Sequence, residues 1–115
     1  MLIKGMPRQE DGPGRGVAEL LELDATLRAL AHASRRHILV VLHARGGRMT
    51  AGSIAKRFSC TWPTTTRHLR VLEAAGLVRV ERAGREWLYV LESDRLWRVV
   101  NGWLRHFDAS LEARS

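Results

Sequence analysis

Threonines and arginines are concentrated in the segment between Thr61 and Arg70, together with one tryptophan. Short hydroxyl groups can bind base edges or phosphates without preventing close approach, and a guanidinium can grip guanine bidentately or hold a phosphate. A helical period divides this segment into a predicted buried face and a predicted exposed face. The buried face comprises Thr65, Leu69 and Leu72, and the exposed face comprises Trp62, Thr66, Arg67 and Arg70. This pattern favours a helix that reads nucleic acid, although an amphipathic surface helix without that role has the same periodicity.

The middle of the chain carries most of the positive charge. The 115 residues have a formal net charge of +7. Between Arg35 and Arg85, eleven basic residues stand against only Glu73 and Glu81, whereas each flank is close to neutral. Such a surface suits a polyanionic partner, because binding to phosphates releases their counterions. A solvated arginine-rich surface without a partner is the alternative interpretation of the charge.

Two strands are predicted after this segment, where the hydrophobic period changes from helical to alternating. They cover residues 78–82 and 86–91 and are joined through Ala83-Gly84, with Gly84 supplying the positive φ of a tight turn. The hairpin tip carries Arg82 and Arg85, which could enter a minor groove or lie against phosphates. A hairpin whose arginines are solvated and bind no partner is the alternative.

The elements before the hairpin are predicted to be helices. A first helix is expected over residues 17–31, and a second begins at Ser34 as its N-cap and stops at Gly46-Gly47. The glycine- and proline-rich residues 1–16 predict a flexible tail ahead of one domain that spans residues 17–115.

The third and fourth helices are separated by only a short turn. Thr50 is the expected N-cap of the third helix, and Thr61 that of the fourth, which carries Pro63 in its first turn and ends at Gly76. After the hairpin, Ser93 is expected to cap a last helix that continues to about Leu111. The fold class is therefore mainly α with a small β-hairpin wing, the winged helix-turn-helix layout, whose second helix enters the major groove.

Residues 27–91 resemble the ArsR/SmtB family of bacterial transcriptional repressors. The resemblance rests on Leu30-Ala31 through Ser34-Arg35, on the string from Arg67 to Val78, and on Gly84-Arg85 before an aromatic strand. It implies a homodimer formed by the first and last helices, which represses a promoter by binding an imperfect inverted repeat of double-stranded DNA.

Roles for individual residues follow from the helix pattern and the resemblance together. Trp62, Thr66 and Arg67 are expected to face bases. Phosphate contacts or positioning roles are expected for the remaining basic and hydroxyl residues near the helix, which are Arg35, Arg36, Thr61, Thr64, His68 and Arg70. For His68, packing is the alternative role. Arg82 and Arg85 would form the wing contacts.

The last helix predicts self-association on its own pattern, since its apolar stripe is broader than a small monomer readily covers. Burial against a copy of itself would give a two-fold symmetric dimer. The expected interface comprises Leu20, Leu23 and Leu27 of the first helix with Leu96, Val100, Trp103, Phe107 and Leu111 of the last helix.

No metal and no other cofactor is expected. The family's thiolate site would fall near Thr50 and Gly52, neither of which is a cysteine, and the last helix offers His106 and Asp108 without a second histidine. Trp103-Leu104 and Phe107 instead resemble the metal-independent branch of the family. The pattern does not indicate which small molecule, if any, is the effector.

Three other function classes compete with DNA-binding repression. Cys60 lies beside Arg57 and before a helix N-terminus, so a thiol-responsive repressor is an alternative to a buried, inert cysteine. A winged-helix dimerisation module without DNA binding would share the scaffold but leave the basic middle without a purpose. An enzyme is not expected, because no catalytic constellation or phosphate-binding loop is recognisable.

The composition is that of a folded, cytoplasmic protein. Hydrophobic residues make up 45% of the chain and charged residues 27%, and no apolar run is long enough to span a membrane. The single cysteine excludes an intramolecular disulfide. We therefore expect a cytoplasmic protein without a membrane partner.

Overall fold

The computed structural model of the chain describes residues 15–58 and 61–108. Within these ranges the fold is mainly helical with a small antiparallel sheet, as the sequence predicts. The elements are α1 (Arg15–Leu30), α2 (Ala33–Ala44), β1 (Arg48–Thr50), α3 (Ala51–Arg57), α4 (Trp62–Ala74), β2 (Val78–Ala83), β3 (Glu86–Leu91) and α5 (Ser93–Leu104), followed by a short 3-10 helix (Arg105–Phe107).

Two of the predicted N-caps are confirmed and two are wrong. The Thr50 hydroxyl accepts from the amide of Ser53 at 3.1 Å, and that of Thr61 accepts from the amide of Thr64 at 3.3 Å. The cap of α2 is His32 and not Ser34, since an imidazole nitrogen of His32 accepts from the Ser34 amide. Ser93 is the first residue of α5, and the Glu92 cap makes no side-chain bond.

The sheet has three strands in the order β1-β3-β2, with both pairs antiparallel. The predicted hairpin is present, but its turn is Gly84-Arg85, because Ala83 still pairs with Glu86. Gly84 has the expected positive φ, +64°. The sequence missed β1, whose three residues are too few to show an alternating pattern.

Both ends of the described chain differ from the predicted boundaries. α1 begins at Arg15, two residues earlier than expected, and the rest of the predicted tail lies outside the described residues. α5 ends at Leu104 and continues only as a 3-10 turn to Phe107. Leu111 lies outside the described residues. None of the helices within the described ranges is long and apolar enough to cross a membrane.

The core lies between α2, α3, α4 and the sheet. Its largest fully buried side chains include Leu42 of α2, Ile54 of α3 and Leu72 of α4. These residues hold the two helices of the helix-turn-helix at a fixed angle, because close-packed side chains resist relative movement.

α1 and α5 form a second layer, which charged side chains fasten together. Glu22 of α1 binds Arg98 of α5 through two hydrogen bonds of 2.9 and 3.0 Å, and Arg95 lies 3.1 Å from the same carboxylate. The Arg98 hydrogen bonds lower the pKa of the Glu22 carboxyl. Arg95 also covers the turn after α4, where a Cβ on Gly76 would lie 2.5 Å from the guanidinium carbon.

Candidate nucleic-acid interface

α4 is anchored by the face that the sequence predicts to be buried. Thr65, Leu69 and Leu72 are nearly inaccessible to solvent, and the Thr65 hydroxyl donates to the Thr61 carbonyl at 3.1 Å. Pro63 sits in the first turn of the helix, where its missing N–H leaves no broken bond. The core therefore fixes which side of α4 faces outward.

The outward side of α4 is a shallow concavity of about 380 Å³, lined by Trp62, Pro63, Thr66, Arg67 and Arg70. The Trp62 side chain is exposed, with 55% of its surface accessible. Within the described ranges, neither arginine makes a hydrogen bond or an ion pair. The face thus combines an apolar end with two free guanidinium groups, a set that can bind base edges and phosphates.

The two threonines at the start of α4 are partly occupied by the cap itself. The Thr61 hydroxyl donates to the Thr64 hydroxyl oxygen at 2.9 Å while it accepts from the Thr64 amide. The Thr64 hydroxyl proton has no acceptor among the described residues. Thr61 therefore positions the helix, and Thr64 retains one donor.

Arg35 and Arg36 do not reach the α4 face as free cations. Arg35 donates to the carbonyl oxygens of Ala29 and Arg28 at 2.7 and 3.0 Å, and Arg36 donates to that of Leu30 at 2.7 Å. These carbonyls end α1 and lack partners within that helix. Both guanidinium groups cap the C-terminus of α1 in this structure, and their expected phosphate role stays a prediction.

His68 packs inside the molecule instead of facing a phosphate. Only 7% of its surface is exposed, and its ring lies 4.5 Å from that of His32. An Arg35 N–H points at His68 Nδ1 over 3.4 Å, a contact that needs an unprotonated nitrogen. Burial, followed by the charges of His32, Arg35 and Arg67, lowers the pKa of His68. Packing, the alternative that the sequence left open, is what the structure shows.

The two wing arginines differ from each other. The Arg82 guanidinium lies over the Trp87 ring, 4.7 Å from its centre, and its Nε donates to the Gly84 carbonyl at 3.1 Å. Arg85 is exposed and makes no hydrogen bond within the described residues. Arg85 is thus the exposed cation of the wing, and the Arg82 guanidinium is held against the Trp87 ring.

Part of the positive charge between Arg35 and Arg85 is neutralised across the sheet, between its two outer strands. Glu81 binds both Arg48 and Arg79, at 3.0 and 2.9 Å, and Arg79 also pairs with Glu92. These hydrogen bonds raise the pKa of Arg79, so the guanidinium stays charged and paired. The free positive charge is accordingly more concentrated near α4 and the wing than the sequence alone indicates.

The apolar residues of α1 and α5 leave an exposed surface on the second layer. Leu20, Leu27, Trp103 and Phe107 are exposed, whereas Leu23, Leu96 and Val100 are half-buried. Trp97 and Leu104, which belong to the predicted apolar stripe of the last helix, are also exposed, and Val40 of α2 extends the predicted set; Trp97 is 71% exposed. They line a groove between α2 and α5. Spacing within one helix could not reveal Val40, because its neighbours come from α5.

Metal-ligating side chains are scattered in the described part of the chain. No three histidine, cysteine, aspartate or glutamate side chains within residues 15–58 and 61–108 lie close enough together to hold a metal ion. Cys60, the residue of the thiol alternative, lies outside the described residues.

Known proteins share this fold and parts of this sequence. A family model described as a helix-turn-helix domain matches residues 30–81. The chain is 33% identical to the transcriptional repressor SdpR of Bacillus subtilis (strain 168) over 85 residues, which cover 74% of this chain and 91% of that protein. The names of these two matches describe a helix-turn-helix domain and a transcriptional repressor.

Solved structures extend the similarity to the whole helical scaffold. An ArsR-like transcriptional regulator from Rhodococcus sp. RHA1 superimposes with a TM-score of 0.70 at 28% identity, over 84% of this chain and 89% of that one. The fold is also that of a homodimeric winged helix-turn-helix DNA-binding domain from Mycobacterium bovis, with a TM-score of 0.65 at 24% identity, over 81% and 85% of the two chains.

Proposed function

The chain belongs to the ArsR/SmtB family of winged helix-turn-helix transcriptional regulators, and on that premise we propose that it represses transcription as a homodimer bound to an inverted-repeat operator. The observation that carries the proposal is the outward face of α4. It is fixed by a packed core, and Arg67 and Arg70 on it have no intramolecular partner among the described residues. Because bacterial DNA lies in the cytoplasm, this function places the chain there.

Within each half-site, α4 lies in the major groove and the wing follows the adjacent backbone or minor groove. Arg67 and Thr66 face bases, Arg70 and the Thr64 hydroxyl hold phosphates, and Arg85 is the main wing contact. Arg82 contributes through the position in which it keeps the wing.

The homodimer is supported by the exposed apolar surface of α1 and α5. A stable monomer rarely leaves several large apolar side chains together in solvent, as Leu20, Trp103 and Phe107 are here. Leu20 and Trp103 line one pocket, and the ring centres of Trp103 and Phe107 lie 5.2 Å apart. The related Mycobacterium bovis domain is described as homodimeric, and two half-sites require two recognition helices.

Repression without a metal effector is the remaining part of the proposal. It is supported by the absence of thiolates at Thr50 and Gly52 and by the resemblance of Trp103-Leu104 and Phe107 to the metal-independent branch. Operator binding should therefore be unchanged by zinc, copper or arsenite. Release by any of them at stoichiometric amounts would contradict this part alone.

One experiment tests DNA reading and symmetry together. The full chain is used to select bound duplexes from a random pool at low salt. Analytical ultracentrifugation then gives the mass of the protein in the complex. We expect a palindromic motif and a protein mass of twice 13.0 kDa. A dimer that retains no duplex would instead favour the dimerisation-module alternative.

A matched pair of variants tests the dimer surface. Phe107→Asp places a charge on the exposed apolar layer and should give a 13.0-kDa monomer that binds the operator weakly. Trp87→Ala, at another exposed aromatic residue, which lies on the wing, should leave the dimer mass unchanged. A dimer that persists in Phe107→Asp would exclude this surface.

A further inference from the structure

The outward face of α4 is chemically divided along its length. Residues four apart form two neighbouring rows, one of Trp62, Thr66 and Arg70 and one of Pro63 and Arg67. Both rows begin with an apolar ring and end with a guanidinium. The N-terminal end of the concavity is therefore apolar, and its C-terminal end is cationic.

Trp62 has no structural task in this chain that would explain its size. It lies outside the hydrophobic core, and 55% of its surface is exposed. Its indole N–H makes no hydrogen bond within the described residues. The backbone beneath it is nevertheless fixed, since Thr61 caps the helix and Pro63 restricts the next φ angle. Trp62 is thus an exposed aromatic side chain on a well-defined support.

The position of Trp62 determines what it can meet. The first turns of a recognition helix lie against base edges in the major groove, where the only apolar group is the 5-methyl of thymine. Cytosine has a hydrogen at that carbon, and purine edges present polar atoms there. An apolar side chain at this place gains free energy only where it can cover a methyl group.

We propose that Trp62 is a specificity-determining residue that reads the 5-methyl group of a thymine in each half-site. The inference rests on the proposed duplex binding and adds the base class that the apolar end selects. Arg67, one row across, suits the O6 and N7 of guanine, so the thymine lies beside a guanine in the half-site.

The test removes only the methyl group. In the duplex selected by the full chain, each thymine is replaced singly by deoxyuridine, and the dissociation constant is measured at fixed salt. We expect one thymine per half-site at which the replacement weakens binding about fourfold, and about sixteenfold when both half-sites carry it. Equal affinity for every deoxyuridine duplex would overturn the inference while leaving the proposed function intact.

Variants assign the effect to the side chain. Trp62→Ala should bind the thymine and deoxyuridine duplexes equally, whereas Trp62→Phe should retain part of the discrimination. Trp87→Ala, which removes an exposed tryptophan from the wing, should keep the full fourfold ratio. Discrimination that survives in Trp62→Ala would also overturn the inference. A chain that binds no duplex at all fails earlier, at the proposed function.

Discussion

Two pairs of arginines near the helix-turn-helix differ in their hydrogen bonding. At the hinge between α1 and α2, Arg35 and Arg36 donate to the carbonyls that end α1. On α4, Arg67 and Arg70 have no hydrogen bond or ion pair within the described ranges. All four carry the same charge, yet only the second pair is without a hydrogen-bond partner among the described residues.

The difference teaches that the availability of a guanidinium is decided by its neighbours. A helix C-terminus leaves carbonyl oxygens without partners, and an arginine that follows within a few residues satisfies them. The start of α4 presents amides instead, and Thr61 already caps it. Arginines on the α4 face therefore find no hydrogen-bond partner in the described part of the chain.

The largest expected effect belongs to the hinge. Arg35→Ala should lower the free energy of unfolding by about 1.5–3 kcal/mol, because it removes charged hydrogen bonds to two carbonyls. The measurement is urea denaturation at fixed protein concentration. Arg36→Ala, which removes one exposed bond, is the control and should cost less. Unchanged stability with lost operator affinity would reverse the assignment of Arg35.

On α4 the expected loss is in binding and not in folding. Arg67→Ala should weaken operator binding by about 1–3 kcal/mol and change the unfolding free energy by less than about 0.5 kcal/mol. Titration of the labelled operator gives the first quantity and urea denaturation the second. Arg105→Ala, at an exposed arginine of the 3-10 helix, is the control and should change neither. A clear loss of unfolding free energy in Arg67→Ala would show that Arg67, like Arg35, stabilises the fold.

The wing offers a smaller version of the same contrast. Arg85→Ala should reduce the slope of log affinity against log salt by about 1, because one phosphate contact is lost. Arg82→Ala should reduce it less, since that guanidinium lies on Trp87 and binds Gly84. Equal slopes in the two variants would show that Arg82 leaves the ring when DNA binds.

The smallest expected effect is the pH dependence of the unfolding free energy. It arises at His68, which lies against His32 and Arg35. The pKa of His68 lies below its usual value of about 6.5, so the unfolded chain takes up a proton first. The contribution of His68 is complete above pH 6.5 and is lost as the pH falls toward the folded pKa. The guanidinium groups of Arg35 and Arg67 act in the same direction as burial.

This effect can be isolated by substitution. His68→Asn keeps an acceptor for Arg35 but does not titrate, so its stability should fall less between pH 6.5 and pH 5 than that of the parent chain. Urea denaturation across this range provides the comparison. Identical pH dependence in the two proteins would mean that His68 titrates alike in the folded and unfolded states.

Local signals in the sequence were sufficient for most elements. The caps at Thr50 and Thr61 and the strand over residues 86–91 were predicted from neighbouring residues, and the structure confirms them. What failed depends on contacts between distant segments. β1 exists because Met49 pairs with Tyr89, and no pattern of three residues could reveal that.

The site shows the same division. Periodicity correctly separated the buried Thr65 and Leu69 from the exposed Trp62 and Arg67. His68 is three residues after Thr65 and four before Leu72, so the same period places it on the buried face, where Arg35 and His32 contact it. Charge counts could not tell a capping arginine from a free one, because both are equally basic in the sequence.

The contact of Arg95 with Gly76 makes the second layer sensitive to a change in the turn after α4. One guanidinium spans the Glu22 carboxylate of α1 and the turn in which α4 ends. An added methyl group at position 76 would displace this guanidinium, which is the movable end of a flexible side chain. The ion pair between Arg95 and Glu22 would then have to rearrange, so a substitution in the turn would also weaken a contact between α1 and α5.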